Sequence, residues 1–246
     1  MGKLLKFEFR RLLRSVAFYV FICIIVALNF LLVVTQRKDL IYRSNAILDS
    51  FKICDIVLLL AIFLPIYVCR NFTDGTIKTI AAKGYSMQKL YFTQLIVSLF
   101  VACVFCAAAV LSRFLFGLAF IKQAGDFNGV AGSLALQFAV IIALTCMFNS
   151  IAFSISKTGG SIAVNVLTYV MGSILFLLVD AVLYEILKNQ PPRDWTVSQY
   201  WIVNFYDRCG NLPLGGDVIS LALVGSLCYA AVFIALAYAV SRKREL

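Results

Sequence analysis

The chain has 246 residues, of which 62% are hydrophobic and only 14% are charged, and its net charge is +10. Soluble globular proteins carry about 25% charged residues, so this composition excludes an ordinary soluble domain and predicts a membrane protein. The sequence contains no His, no G-x-S-x-G motif and no cluster of metal ligands, so it does not support an enzyme or a metal site.

Residues 1–15 have the pattern of an amphipathic helix. At about 100° per residue, one arc of this helix is apolar and the adjoining arc is basic. The apolar arc holds Leu5, Phe9, Leu12, Leu13 and Val16, and the basic arc holds Lys3, Lys6, Arg10 and Arg14. We predict an interfacial helix that lies along the inner leaflet; the alternative is a disordered basic flank.

Six long apolar segments follow, each close to the roughly 20 residues that cross a hydrocarbon core. We predict spans at 16–34, 51–69, 93–112 or beyond, 133–155, 161–183 and 218–240. The first is longer than the apolar region of a signal peptide and has no small-residue cleavage site, so we interpret it as a retained span. The predicted fold is an all-α polytopic membrane protein, with one transmembrane domain over residues 1–246.

The basic residues fall mostly on one side of this topology. Six spans place both termini on the same side, together with 13 of the 22 basic residues and only three of the 12 acidic ones, while the other side has nine of each. Lys and Arg near span ends mark the cytoplasmic face, so we predict that both termini are cytoplasmic. Attraction to anionic lipid explains this charge better than binding of nucleic acid.

Residues 70–90 join the second and third spans, and they contain helix-capping residues that a simple connector would not need. Thr73 or Asp74 can cap a short helix by accepting a backbone N–H, and Gly84 can end it because Gly tolerates the left-handed conformation. Ser86 can cap the helix that runs on into the third span.

The short helix predicted between these caps is itself amphipathic. Ile77, Ile80 and Ala81 share one face, and Lys78 and Lys83 lie outside it. This pattern predicts a docking element presented to the cytosol; the alternative is a membrane-surface helix without a partner.

An N-terminal interfacial helix, six spans and the segment Phe-x-Asp-Gly-Thr-Ile-Lys…Gly-Tyr-Ser…Lys-Leu-Tyr together resemble the membrane subunit of a type-2 ABC exporter, the ABC-2 permease family. The likeness is greatest to the small permeases of peptide-antibiotic immunity and peptide export. At residue level it runs from Phe72 to Tyr91, and Met87 departs from it because this group often has Arg after the Ser. The matching positions are Asp74, Gly75, Thr76, Lys78 and Gly84.

The resemblance implies a non-catalytic subunit in a bacterial cytoplasmic membrane. A separate P-loop ATPase would bind ATP and magnesium, and this sequence indeed lacks a G-x-x-x-x-G-K-[ST] motif and is expected to bind no cofactor itself. Two permease copies, identical or related, would enclose a path for an amphipathic cargo, such as an antimicrobial or bacteriocin-like peptide. The implied ATPase-docking residues are Thr73, Asp74, Gly75, Thr76, Ile77, Lys78, Ile80, Ala81, Lys83, Gly84, Tyr85 and Ser86, braced by the helix at 1–15.

Charged residues inside spans are functional suspects, and Asp55, Arg113 and Asp180 lie toward the outer span ends. These residues form either an outer gate or an internal ion pair. The alternative is a position at the solvated edge of the span, where an Arg side chain snorkels to the interface and carboxylates reach water.

The third apolar segment continues to residue 121, which is too long for the core, so it must tilt, protrude or break at Arg113 or Gly117. Asn29, Asn149 and Asn165 are expected to bond between helices.

Residues 184–217 form the longest polar segment, and aromatic residues that include Trp195 and Trp201 suit a membrane interface. We predict one or two short helices on, or dipping into, the outer leaflet. In the resembled family this region helps to seal the exit, which makes both Trp residues gate candidates; the alternative is a loop without a transport role. For the whole chain, the competing hypotheses are a membrane anchor or sensor subunit and a stand-alone secondary transporter.

Overall fold

The computed structural model describes residues 2–35, 42–53, 55–77, 82–123, 125–186, 196–210, 212 and 214–243. Within them the chain is helical, and β structure is limited to an isolated bridge between Tyr42 and Gln123. The helices are α1 Gly2–Leu13, α2 Val16–Thr35, α3 Arg43–Leu48, α4 Ser50–Ile53, α5 Ile56–Thr73, α6 Met87–Phe120, α7 Val130–Ile155, α8 Thr158–Ile186, a 3-10 helix Ser198–Tyr200, α9 Ile202–Cys209 and α10 Gly216–Lys243.

Six of these helices, α2, α5, α6, α7, α8 and α10, are long and apolar enough to cross a membrane. This confirms the predicted all-α class and the number of spans. The second span begins later than predicted, at Ile56 rather than at residue 51. Asp55 adopts a left-handed backbone with φ of 42°, which separates α4 from α5 because a helix cannot continue through that conformation.

The third span, α6, is a single helix of 34 residues that continues through both Arg113 and Gly117. Of the three alternatives for this segment, a break at those positions is therefore excluded. Both residues are buried against neighbouring helices, and the Ile121 N–H still donates to the Gly117 carbonyl at 2.9 Å, so the helical hydrogen bonds persist to its end. At 1.5 Å per residue α6 is about 51 Å long, against a hydrocarbon core of about 30 Å, so it must tilt or protrude.

The helix ends meet in two groups. One, which we call the basic end, contains α1, the start of α6 and the C-terminal part of α10; Leu4 packs with Leu90, and the rings of Phe92 and Tyr238 lie 6.4 Å apart. The other, which we call the distal end, contains α3, α4, the 3-10 helix and α9. There the 3-10 helix and α9 contact α8, and α3 contacts α6 and α7.

Helix α7 is the centre of the bundle and packs against α5, α6, α8, α9 and α10. Two-thirds of its membrane-length window is buried, whereas only 6% of that in α8 and 11% of that in α10 is buried. The outer faces of α8 and α10 are lined by exposed Leu, Ile and Val side chains. Lipid or another membrane subunit must cover such faces, because water would not tolerate them.

Helix α1 packs onto this bundle by its apolar side. Leu12 is fully buried, and the Phe9 ring lies 5.1 Å from that of Phe100 on α6. Leu13 and Val16, predicted on the same arc, are exposed instead, because α1 ends at Leu13 and the chain turns there. The predicted basic arc, Lys3, Lys6, Arg10 and Arg14, is exposed along its whole length.

Candidate docking site at the basic end and candidate gate at the distal end

A buried carboxylate joins α1 to the last turns of α5. Glu8 has no exposed surface, although it stands in the middle of a basic helix. One of its oxygens accepts a hydrogen bond of 2.7 Å from the Tyr67 hydroxyl, and the other accepts one of 3.1 Å from the Asn71 amide. Every one of these groups is buried, so the contacts stabilise one geometry between the two helices.

Arg11 supplies the positive charge that this carboxylate needs. Its guanidinium lies 3.5 Å from a Glu8 oxygen, donates to the Asn71 side-chain oxygen, and donates to the Tyr67 carbonyl at 2.9 Å. The same guanidinium stacks over the Tyr67 ring, 5.1 Å from its centre. A charge pair with this many hydrogen bonds is costly to break, because either partner alone would be left buried and uncompensated.

The segment after α5 begins directly beyond this network. The Thr73 hydroxyl donates back to the Cys69 and Arg70 carbonyls, and the Asp74 carboxylate accepts from Arg70 at 3.1 Å. The two predicted N-cap side chains therefore bond to the end of α5. Gly75 adopts a left-handed backbone with φ of 67°, which turns the chain away from the helix axis.

The far end of the segment agrees with the predicted caps. Gly84 is left-handed, with φ of 76°, and the Ser86 hydroxyl accepts the Lys89 N–H at 3.4 Å at the start of α6. Thr76 and Ile77 are helical, whereas Lys78, Ile80 and Ala81 lie outside the described residues. Their predicted amphipathic register thus stays a prediction.

The described part of the segment packs inward by its apolar residues. Ile77, Tyr85 and Met87 contact the buried pair Leu4 and Leu90, so the segment rests on α1 as well as on α6. Its exposed residues are Thr73, Asp74, Ala82, Lys83 and Gly84. A docking partner at this place would therefore contact polar side chains and glycine backbone.

At the distal end, Arg113 is fully buried rather than at a solvated edge. Its Nε donates to the Asn29 side-chain oxygen at 2.7 Å, and the Asn29 amide donates to the Ser112 hydroxyl at 2.7 Å. These bonds join α2 to α6. The snorkelling interpretation of Arg113 is thus wrong, because the amide of Asn29 gives the guanidinium a partner inside the bundle.

The other intramembrane Asn residues also bond between helices, as predicted. Asn149 on α7 accepts from the Ser98 hydroxyl on α6 at 2.9 Å. The amide of Asn165 on α8 is placed between carbonyls of two other helices, Ala61 at 3.3 Å and Phe148 at 3.4 Å. These side chains hold the bundle together and leave its interior closed at these points.

Asp55 and Asp180 are half-buried, and each accepts hydrogen bonds from another element. The Tyr169 hydroxyl donates to Asp55 at 2.7 Å. The two oxygens of Asp180 accept the backbone N–H groups of Val197 at 2.6 Å and Ser198 at 2.9 Å. Asp180 therefore fixes the start of the 3-10 helix to α8, since these first N–H groups have no partner within the helix.

The described part of the aromatic segment, residues 196–210, packs against the bundle, and two glycines make room for it. The Trp201 ring stacks on Phe176 at 4.9 Å and lies over Gly172, where an added Cβ would meet its Cε2 at 2.7 Å. Phe205 lies over Gly225, where an added Cβ would meet its Cζ at 2.8 Å. Trp195, the other predicted gate residue, lies outside the described residues.

Helix α9 is held between α7 and α10 and is largely buried. The Ser133 hydroxyl of α7 donates to the Cys209 carbonyl, and the Tyr229 hydroxyl of α10 donates to the Tyr200 carbonyl at 3.1 Å. Burial raises the pKa of Tyr206 well above its ordinary value, so its hydroxyl stays neutral. The segment 196–210 is thus packed against α7, α8 and α10 at the distal end of the bundle, and we call it the plug.

Sequence reasoning missed the network around Glu8, which includes Arg11, Tyr67 and Asn71. One signal was present: Glu8 is four residues from both Leu4 and Leu12, so it shares the buried face of α1. The packing of the two glycines under aromatic rings could not be predicted, because the rings come from a segment distant in the sequence.

Comparison of this sequence with protein-family models and with curated proteins found no match.

Proposed function

We propose that this chain is the membrane-spanning subunit of an ATP-driven exporter of the type-2 ABC class, working with a separate P-loop ATPase. The observation that supports the proposal best is the buried network around Glu8. It joins α1 to α5 directly before the segment that follows α5, where Thr73 and Asp74 are exposed. A docked partner that pushes on this segment would move both helices together.

The basic end has the form that such coupling requires. Exposed residues of the segment precede each of two left-handed glycines, Gly75 and Gly84, and its apolar residues rest on Leu4 and Leu90. A force that a docked partner exerts on the segment would therefore be transmitted through packed side chains and buried hydrogen bonds rather than through a free loop. Cytoplasmic termini, proposed from the basic residues at this end, would place the segment where an ATPase can reach it.

The distal end provides the element that transport would have to move. The plug contacts α7, α8 and α10, and α7 and α10 extend to the other end of the bundle, where Phe153 packs against Phe72 and Tyr238 lies near Phe92. Rearrangement of the spans during ATP binding would loosen the plug and open an exit. The apolar core suits an amphipathic cargo, and by resemblance we propose a peptide of antimicrobial or bacteriocin-like character.

The path would require a second membrane subunit. The weakly buried outer faces of α8 and α10 could pack against an identical or related permease, which would enclose the cargo between the two subunits. We propose the bacterial cytoplasmic membrane as the location, with ATP and magnesium bound by the ATPase.

The proposal is tested by extracting the tagged full-length chain from its native host in mild detergent and identifying co-purifying proteins by mass spectrometry. We expect a stoichiometric protein with a G-x-x-x-x-G-K-[ST] motif, and a second permease beside it would indicate a heteromeric path. The matched variants are Lys83→Glu, in the exposed segment, and Lys243→Glu, exposed at the same end but outside it. Only the first should reduce ATPase recovery.

Two outcomes would contradict the proposal. Recovery of the chain without any ATPase would favour a sensor, an anchor or a stand-alone transporter. Equal loss of ATPase with Lys83→Glu and Lys243→Glu would show that the partner senses the charge of the whole end rather than the segment.

A further inference from the structure

The charged residues on the exposed face of α1 are all basic. Its one acidic residue, Glu8, is turned inward and bonded to Tyr67 and Asn71. The residues on the outer face are Lys3, Lys6, Phe7, Arg10, Leu13 and Arg14. Basic and large apolar side chains thus alternate at helical spacing, a pattern typical of a helix that meets the headgroups of a membrane.

A shallow and widely open apolar groove, formed by side chains of α2 alone, begins where this face ends. It is lined by one side of α2, at Val16, Tyr19, Val20, Cys23, Ile24 and Ala27. Val16 and Ala27 are 11 residues apart, which corresponds to about 16 Å along a helix, close to half of a hydrocarbon core of about 30 Å. The groove therefore spans about one leaflet.

The basic face and the groove form one continuous surface. The Tyr19 hydroxyl, on the groove, donates to the Leu13 carbonyl at 2.9 Å, at the end of α1. This bond holds the first turn of α2 against Leu13, which lies beside Arg10 and Arg14 on the exposed face of α1. A molecule with an anionic head and an apolar tail could contact both parts at once.

We propose that this surface binds one anionic phospholipid, with its headgroup between Arg10 and Arg14 and an acyl chain in the groove on α2. The inference is independent of the transport proposal, because it rests on α1 and α2 alone. A phosphate-bearing headgroup complements the cluster of positive charges, and each Lys or Arg near an anionic surface adds a favourable contribution. A soluble protein partner fits less well, since half of the site lies along a membrane span.

The test is native mass spectrometry of the full-length chain in detergent, with phosphatidylglycerol or phosphatidylcholine of equal chain length added at known concentration. We expect one phosphatidylglycerol to be retained in preference to phosphatidylcholine. Arg10→Gln with Arg14→Gln should weaken phosphatidylglycerol binding about 30-fold, because two charges are lost. The matched control removes two exposed charges from the same end, by Arg242→Gln with Lys243→Gln, and should change binding less than twofold.

A second pair of variants tests the groove. Cys23 lines it, whereas Cys228 is an exposed cysteine on α10. Cys23→Trp should fill the groove and weaken binding of both lipids, and Cys228→Trp should leave it unchanged. If the double Arg variant does not fold, Arg14→Gln alone should still weaken phosphatidylglycerol binding about fivefold.

Three results would overturn the proposal: equal retention of the two lipids, unchanged phosphatidylglycerol binding in the double Arg variant, or unchanged binding after Cys23→Trp. If the double Arg variant instead lost a co-purifying ATPase while keeping its lipid, the basic face would be a protein interface. Loss of lipid with the ATPase retained would support the lipid site whatever the transport function proves to be.

Discussion

The carboxylate of Glu8 accepts a hydrogen bond of 2.7 Å from the hydroxyl of Tyr67, 59 residues further along the chain and on a different helix. Glu8 has no exposed surface, and the guanidinium of Arg11 lies 3.5 Å away. The bond ties an N-terminal helix to the second span at the point where the span gives way to an exposed segment. Movement of one helix is thereby transmitted to the other.

Glu8→Ala should be strongly destabilising, because it removes the buried carboxylate that accepts from Tyr67 and Asn71 and leaves Arg11 without its counter-charge. Removing one partner of a buried pair costs about 3–5 kcal/mol, and the partial exposure of Arg11 places this site at about 3 kcal/mol. The unfolding midpoint in detergent, followed by intrinsic fluorescence, measures the loss. Asp74→Asn breaks an exposed pair with Arg70 and should cost less than about 1 kcal/mol. Equal shifts for the two variants would contradict the account.

Asn29→Leu tests the buried contact between the first and third spans. The substitution removes the oxygen that accepts from the Arg113 Nε, and it removes the amide that donates to Ser112. We expect a loss of about 2–3 kcal/mol, from a charged donor that loses a buried partner. Leu31→Ala, at an exposed position on the same helix, should shift the midpoint of thermal unfolding much less. An unchanged midpoint for Asn29→Leu would mean that Arg113 is held by other contacts.

Gly172→Ala should push the plug away from α8. The new methyl group would overlap the Trp201 ring, and such overpacking costs about 1–3 kcal/mol. Gly159→Ala is the control on the same helix, since an added Cβ there meets no atom within 4 Å, and it should be neutral or stabilising. In a Trp195→Phe background, quenching of tryptophan fluorescence by a water-soluble quencher reports the exposure of Trp201, and it should be greater in Gly172→Ala than in Gly159→Ala. Equal quenching in the two variants would refute the close packing.

Asp180→Ala should loosen the start of the plug without unfolding the bundle. The two N–H groups of Val197 and Ser198 lose their acceptors, with an effect of about 1 kcal/mol, as for other helix caps. Amide hydrogen exchange should rise about fivefold in residues 197–200. Asp180→Asn keeps one acceptor, so its exchange rates should lie between those of the unsubstituted protein and those of Asp180→Ala. Faster exchange throughout α8 as well would show that Asp180 stabilises the span rather than the plug.

Tyr206→Phe is expected to keep or raise stability. The Tyr206 hydroxyl is buried and has no hydrogen-bond partner among the described residues, so removing it ends a desolvation cost. The raised pKa of this group has the same cause, since burial disfavours the charged form. Tyr229→Phe serves as the contrast, because that hydroxyl donates to the Tyr200 carbonyl and its loss should destabilise the plug. Thermal unfolding midpoints measure both effects: an unchanged or higher midpoint is expected for Tyr206→Phe, and a lower midpoint is expected for Tyr229→Phe.

The sequence predicts the six spans well because hydrophobic length is a local property. The second span was placed too early because its apolar run includes α4, and only the left-handed backbone of Asp55 separates the two helices. Ser86 and Gly84 were identifiable because capping depends on residue type over a few positions. The sequence left open whether α6 breaks at Arg113, because this residue is accommodated by Asn29, 84 residues away, and such a contact leaves no local signal.

The direct test of the central claim is a photo-activated cross-linker placed at Lys83 of the full-length chain in its native host, with Lys122 as the site for comparison at the distal end. Both positions are exposed. The account predicts that the cross-linker at position 83 captures a P-loop ATPase, identified by mass spectrometry, and that the one at position 122 does not. Capture of lipid alone at position 83, or of the same ATPase at both positions, would contradict it.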